Sequence, residues 1–331
     1  MPDNTLPSLS PEQAQALIER IETIPLYSHA YSFHRNFRFG DFEPCDLLDF
    51  AAKNGHKGIK IHREDGEGNS LGNADALCLS SFEKIAKQLG LDVHLEISET
   101  EVPSLREAIR VGSAIGATSI RCYPRYEGKV SSIIERTIRD LQQLKYLDPD
   151  EVFRFTLEQH EDLTGSELVR IVEAVGNPNL SLMFDFTNMI NAYEHPLDAL
   201  QTMAKHITDV HVKDAVIFED SGGWGQRCCR SGDGDIPQAR LLMELLCLGE
   251  NAPQVLAYGL EEEVGYHSPP FRYPYEDEDP YINARSVSET DLVPGVEIAT
   301  QLAKEMADAQ HLCTHIQELL KLLRNHAASF L

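Results

Sequence analysis

The sequence predicts a closed (β/α)8 barrel, and three observations carry that expectation. Over 331 residues, short apolar runs alternate with longer stretches of helical period, as strand–helix units around a parallel sheet do. Eight such pairs can be traced, the number that closes a barrel of this type. Four of the runs end in cation-binding residue types: Glu158 (FRFTLEQHED), Asp185 (LSLMFDFTN), His211 (ITDVHVKD) and Glu261 (QVLAYGLEEE). Parallel strands of a barrel end side by side, so residues distant in sequence converge there.

Taken in order, the chain opens with a helix whose Ser10-Pro11-Glu12 start supplies an N-cap and a first-turn proline. The expected strands are 25–30, 57–62, 91–97, 118–123, 152–158, 179–185, 206–212 and 254–261. The expected helices are 44–54, 75–90, 102–116, 130–147, 164–176, 195–205, 236–249 and 291–324. A single barrel domain with its core at 24–324 takes in these elements. The chain is longer than a typical barrel of roughly 250 residues. The surplus falls in the first helix and in two lid-like insertions, 214–235 and 262–290, after strands seven and eight. Loops in that position lie on the face where barrel enzymes hold their sites, and long ones act as lids or partner surfaces. The acidic EDEDP at 276–280 reads as solvated loop.

Strand phase supports the convergence, because side chains alternate across a strand. Phe153, Phe155 and Leu157 share one face, and Arg154, Thr156 and Glu158 the other. Leu180, Leu182 and Phe184 oppose Ser181, Met183 and Asp185. Leu256, Tyr258 and Leu260 oppose Ala257, Gly259 and Glu261, while Asp209, His211 and Lys213 oppose Val210 and Val212. The bulky apolar face suits packing on helices, and the candidate ligand sits each time on the face that would line the barrel. Three carboxylates and one imidazole suit a divalent cation. Glu262 and Glu263 compete with Glu261, which is preferred because it continues the phase of Val255, Ala257 and Gly259.

Further polar groups share the inward phase: His62 (GIKIH), Glu96 (VHLEIS) and Arg121 (SIRCYPR). His160 lies two residues past Glu158, Lys213 two past His211, and Asn188 three past Asp185. His62, Glu96, Arg121 and Asn188 are expected to contact substrate in a polar pocket suited to a polyol or acid. Arg230, in the first insertion, adds a guanidinium that can clamp a carboxylate, a phosphate or vicinal hydroxyls. His29 and His34 are weaker candidates, Trp224 suits either a sugar face or the core, and Cys228-Cys229 is given no role.

Composition narrows the function classes. With 29 basic against 53 acidic residues the net charge is −24, which repels nucleic-acid phosphates and anionic membranes. Seven scattered cysteines without a CxxC pair read as reduced thiols. The start MPDNTLPSLSPEQ has no leader pattern and no apolar run approaches a membrane span, so a cytoplasmic protein is expected. No glycine-rich dinucleotide loop follows the first strand and no GxSxG occurs, which argues against NAD chemistry and serine acyl transfer.

The segments LEQHEDLTGSELVRIVEAV, MFDFTN and ITDVHVKD, with a glutamate after the eighth strand, resemble the xylose isomerase-like TIM barrels over 150–262. That superfamily includes sugar isomerases, ketose 3-epimerases, inosose dehydratases, related lyases and the endonuclease IV type of repair enzyme. The resemblance implies that Glu158, Asp185, His211 and Glu261 bind a divalent metal, Mn²⁺ first, with Mg²⁺, Co²⁺ or Zn²⁺ as alternatives. It also implies that Glu158 and Glu261 exchange protons with a sugar carbon. Candidate bases are Glu158, Glu261 and His160, with Lys213 as electrostatic support. Arg230-Ser231-Gly232 resembles the epimerases' arginine-containing PGxG loop, with serine in place of proline. The ExHxD form of 158–162 and the second insertion differ from compact ketose epimerases. They resemble relatives acting on 3-oxo sugars and sugar acids, including decarboxylases and C-glycoside-cleaving lyases. The expectation is a metal-dependent isomerase or epimerase acting on a keto-sugar or derivative through an enediolate. The alternatives are a carbon–carbon lyase using the same site and, more distantly, a sugar-binding barrel without turnover. The partners expected are a small sugar or sugar acid and further copies of the chain or a second subunit, with no nucleic acid and no membrane.

Overall fold

The computed structural model describes residues 5–284 and 292–331. Eight parallel strands close a barrel: β1 (Leu26–His29), β2 (Gly58–His62), β3 (Asp92–Glu96), β4 (Ser119–Cys122), β5 (Arg154–Glu158), β6 (Leu180–Asp185), β7 (Ile207–Val212) and β8 (Ala257–Leu260). Each strand pairs with its sequence neighbours, and β1 pairs with β8 to seal the sheet. All eight strands lie where the sequence predicts them. Helices at Pro44–Lys53, Ala76–Leu89, Val102–Ile115, Val130–Leu141, Gly165–Val175, Pro196–Met203 and Gln238–Cys247 separate them. The opening helix, Pro11–Glu22, starts in a capping box: Gln13 N–H donates to Ser10 Oγ at 3.2 Å, and Ser10 N–H donates to Gln13 Oε1 at 2.9 Å.

The apolar faces read from the strands are buried. Phe155, Leu157, Leu182, Phe184, Val210 and Val212 are each at most 1 % exposed and form the layer between barrel and helices. The barrel interior is polar along its length, with Lys60, His94, Thr156 and Asp209 buried below the strand ends.

Four details differ from the sequence reading, the first being that the helix expected over 130–147 is split into Val130–Leu141 and a short helix Leu144–Leu147. The last helix is Ile298–Ala328 rather than 291–324. Pro294-Gly295, with Gly295 at φ +78°, stands where the helix was expected to run, and neither residue supports helix there. Residues 30–39, of which 30 is expected to end the first strand and the rest to carry no element, form a 3-10 turn (Ala30–Phe33) and a short helix (His34–Phe39). The first insertion is largely a two-stranded antiparallel ribbon, Asp214–Asp220 with Gly223–Cys229. Its turn residues Ser221 and Gly222 both have positive φ, 52° and 88°, the backbone that matches strand twist in a tight hairpin. Gly225 permits the ribbon to pack, because a Cβ there would lie 2.5 Å from the Phe218 ring.

The second insertion is tied down at several points. His267–Ser268 pairs with the ribbon and Tyr281–Ile282 pairs with Gly128–Lys129. Arg272 bonds to Glu167 and Glu276, and Ser131 donates to Asp279. The part of the expected lid at 285–290 lies outside the described residues.

Candidate active site

The strand ends surround a cavity of about 1260 Å³. Its floor is a buried cluster of charged side chains from β3 to β8. His211 is at the centre and 0 % exposed. Its Nε2 lies 3.1 Å from Glu96 Oε1. Glu96 is held well below the usual carboxylate range, since Arg121, His29 and His211 outweigh its burial. A carboxylate can only accept, so His211 Nε2 carries the proton of that bond. The Nδ1 lone pair then faces Glu158 Oε1 at 3.3 Å, Glu261 Oε2 at 3.3 Å and Asp185 Oδ2 at 3.8 Å.

Lys213 Nζ, 3.0 Å from Asp185 Oδ2 and Glu261 Oε2, offsets part of the repulsion in such an arrangement, and a positive charge among the four atoms would offset the rest. His211 Nδ1, Asp185 Oδ2 and Glu158 Oε2 are buried and make no hydrogen bond, which is costly for polar groups. Burial opposes a charged His211, yet Glu261 and Glu96 raise its pKa well above the usual imidazole value; a proton or a cation answers the same need. Glu158, Asp185 and His211 bring ligand-type atoms within 4.8 Å of one another, so the residues present fit a divalent metal. A second such group, His29–Glu96–His211, fits less well. Tyr31 N–H donates to His29 Nδ1 at 3.0 Å, and His211 Nε2 is taken up by Glu96.

The outer atoms of the cluster are tied in turn. Asp185 Oδ1 accepts from Thr187 N at 2.8 Å and Asn188 N at 3.0 Å. Lys213 Nζ lies 3.0 Å from Asp185 and Glu261 and 2.8 Å from Glu263. Burial disfavours its charge, but these three carboxylates hold its pKa well above the usual value. Burial and Glu261 push Glu263 up to about 8. Gly259 allows the close packing beneath, since a Cβ there would lie 2.5 Å from Lys60 Cδ and 3.1 Å from His211 Cδ2.

The other expected contacts divide. Asn188 donates to Gln159 O at 3.1 Å and lies beside Glu158. Arg121 bonds to Glu96, lies 3.3 Å from Glu158 Oε2 and stands 5.1 Å from the Tyr123 ring centroid. Glu96 is fully buried and braces two imidazoles and Arg121, the position of an orienting group. His62 is on the wall, linked to Ser98 Oγ at 3.1 Å, and burial and Arg121 bring its pKa down to about 4. His160 lines the cavity, stacked on Tyr123 at 3.8 Å. Arg230 departs from expectation. It is exposed, is absent from the cavity lining and has its Nε 3.9 Å from Asp308. The turn after it folds inward instead: Ser231 N–H and Oγ donate to Glu262 at 2.9 and 2.6 Å, and Gly232 N–H donates to Asp214 at 2.8 Å. Those bonds turn Glu262 away from the cluster and leave Glu261 facing it.

The sequence reading underrated His29, whose Nε2 lies 3.0 Å from Glu96 and 3.3 Å from Glu261. Its phase with Tyr27 on β1 was the available signal. It missed Tyr123 and Tyr266, wall residues with no motif around them. Trp224 packs on Tyr193 at 4.3 Å and not on the cavity.

Fold and site together define a (β/α)8 barrel with a carboxylate–imidazole cluster at its strand ends. The chain belongs to the xylose isomerase-like TIM barrel family, whose model matches residues 48–249. It is 46% identical over 314 residues to the uncharacterized protein YihM of Escherichia coli (strain K12), covering 95% of this chain and 96% of that one. A stretch of 80 residues is 26% identical to the 3-oxo-isoapionate decarboxylase of Pectobacterium atrosepticum, covering 24% of this chain and 29% of the relative. The fold is similar to that of D-psicose 3-epimerase from Clostridium cellulolyticum H10, with TM-score 0.61 and 12% identity over 88% of this chain and 99% of that one. No described helix is long and apolar enough to cross a membrane.

Proposed function

We propose that this chain is a metal-dependent enzyme of the isomerase/epimerase type, acting on a keto-sugar or sugar derivative by removing a proton next to a carbonyl. The observation that carries the reading is the His211 Nδ1 lone pair, buried and facing three carboxylates at the foot of a polar cavity. Glu158, Asp185, His211 and Glu261 would hold the cation, Mn²⁺ by preference. Bound there, it supplies Lewis-acid polarisation of the carbonyl and offsets the charge of the enediolate. The protein's own groups do the rest. A cluster glutamate takes the proton. Lys213 and Arg121 hold positive charge beside the developing oxyanion. His160, on its Tyr123 platform, stands at the wall to serve a substrate hydroxyl. The second insertion acts as a lid: Tyr266 donates to Glu161 at 2.8 Å, and residues 266–273 close one side of the cavity.

The test is solvent deuterium incorporation, followed by NMR, across a panel of keto-sugars and 3-oxo acids with added Mn²⁺. Exchange at a carbon next to the carbonyl supports the reading. Dependence on added NAD, or exchange equal without metal and with His211→Asn, contradicts it. A second reading, a carbon–carbon lyase, rests on the decarboxylase resemblance. Loss of carbon dioxide or of a group β to the carbonyl in the same panel would favour it.

A further inference from the structure

The cavity wall is strongly acidic beyond the cluster itself. Eleven carboxyl side chains line it against five basic ones, an excess of six, of which a divalent cation would offset two. Four of the five basic groups are already engaged by carboxylates. Arg38 donates to Glu67 at 3.0 Å and Arg63 to Glu64 at 2.7 Å. Arg121 bonds to Glu96, and Lys213 lies among Asp185, Glu261 and Glu263. Arg125 alone makes no ion pair or hydrogen bond among the described residues, and it is exposed to water. Burial brings His34 and His62 down to about 4, so neither adds a positive charge at neutral pH. Arg230 lies outside the lining.

A phosphate or carboxylate is held by guanidinium or ammonium groups free to donate to it. This wall offers one such group, in solvent, and a surplus of acceptors. Ionised carboxylates only accept, so the ligand that satisfies them brings donors, as sugar hydroxyls do. Asp65 shows what a further anion would meet here. Burial first, then the nearby Glu96 and Glu261, push its carboxyl up to about 7.

Size gives the second constraint. The volume of about 1260 Å³ exceeds the roughly 300–1,000 Å³ of pockets that bury drug-sized ligands. The lining runs from Glu158 and Glu261, 2 % and 4 % exposed, to Tyr273 and Tyr281, 40 % and 55 % exposed. Tyr281 is fixed on that outer wall by strand pairing with Lys129 and by its hydroxyl, which donates to Glu127 at 3.0 Å. One sugar ring seated at the cluster beside the Tyr123–His160 stack leaves the outer tyrosines uncovered, and an aromatic face suits the apolar C–H face of a further ring.

We propose that the cavity takes a glycoside of more than one sugar ring that carries no phosphate or carboxylate, with the reacting ring at the cluster and the next ring against the outer tyrosines. The inference rests on the proposed sugar-acting function and narrows its substrate class. It weighs against a substrate that loses its own carboxylate.

Calorimetry on the Mn²⁺-loaded full chain tests this with three probes: D-fructose, D-fructose 6-phosphate and lactulose, a ketose disaccharide. Lactulose should bind roughly 3- to 10-fold tighter than D-fructose, the gain from covering apolar surface of a second ring. Tyr281→Ala, with folding checked by a thermal melt, should cost lactulose more than it costs D-fructose. D-fructose 6-phosphate should bind about 10-fold or more weaker than D-fructose, the effect of like charges a few ångströms apart. Added salt should narrow that gap. Equal or tighter binding of the phosphate, or a gap that salt leaves unchanged, overturns the charge argument. Lactulose no tighter than D-fructose, or an equal loss for both in Tyr281→Ala, overturns the second ring. Absence of binding by all three probes overturns the proposal as a whole. Binding is read without turnover, so lactulose that binds in this pattern yet exchanges no deuterium keeps the substrate class and removes the enolising reading.

Discussion

The barrel interior contains two buried polar layers, and they differ in how their charges balance. The lower layer balances its charges within one ion pair. Lys60 bonds to Asp209, whose Oδ1 also accepts from Val210 N at 2.8 Å. His94 lies beside it, Nδ1 3.5 Å from Asp209 Oδ2 and the ring packed on Tyr27 at 4.5 Å, and burial lowers its pKa. One cation meets one anion. In the upper layer the carboxylates Glu96, Glu158, Asp185 and Glu261 outnumber Arg121 and Lys213, and His211 Nδ1, Asp185 Oδ2 and Glu158 Oε2 make no hydrogen bond. Buried charge is tolerated when paired. The lower pair meets that condition by itself, whereas the upper cluster needs a further positive charge. That surplus, and not polarity, distinguishes the proposed site from the layer beneath it.

Substitutions in the upper layer should have the largest effect on activity. His211→Asn, Asp185→Asn and Glu158→Gln are each expected to abolish turnover and to lower metal affinity by more than roughly 100-fold, beyond the effect of losing an outer partner, while circular dichroism stays that of the folded chain. Full metal content in all three variants would erase the distinction between the layers. His160→Ala should slow turnover by about 100-fold or more, within the range for a lost general acid or base, with Mn²⁺ affinity little changed. Equal turnover in the variant would remove His160 from the mechanism.

The lower layer should respond in stability. Lys60→Met leaves Asp209 buried without its cation, a change that typically costs about 3–5 kcal/mol. Denaturant unfolding should register that loss while metal bound per folded molecule is retained. Lost metal with unchanged stability would mean that the two layers act as one. The smallest effect belongs to the lid. Tyr266→Phe removes one hydrogen bond to Glu161, worth about 1 kcal/mol, and should speed hydrogen exchange in 266–273 without altering the barrel strands. Identical exchange in both proteins would show that Tyr266 does not hold the lid.

Much of this was legible from strand phase. The alternation that put Glu158, Asp185, His211 and Glu261 on one face is the alternation the barrel uses, and the apolar faces opposite them are buried. Roles were harder to read than positions. Glu96 was correctly set at a strand end, but only the distances from His211 and His29 distinguish a brace from a substrate contact. Arg230 lies outside the cavity lining for a local reason: the turn after it is fixed by Glu262 and Asp214, which are remote or ambiguous in sequence. The ribbon was readable in principle from Asp220-Ser221-Gly222-Gly223 between alternating residues, yet its glycine and arginine content resembles loop. His29 lay in phase on β1, but its partners come from β3 and the end of β8, and no one-dimensional pattern joins them.

The most direct test of the account is the metal stoichiometry of the purified chain. After chelation and titration with Mn²⁺, the account predicts one tightly bound equivalent per chain, lost in His211→Asn and kept in Lys60→Met. Absence of a saturable equivalent, or one that survives His211→Asn unchanged, would contradict the claim that the unbalanced upper layer is a metal site.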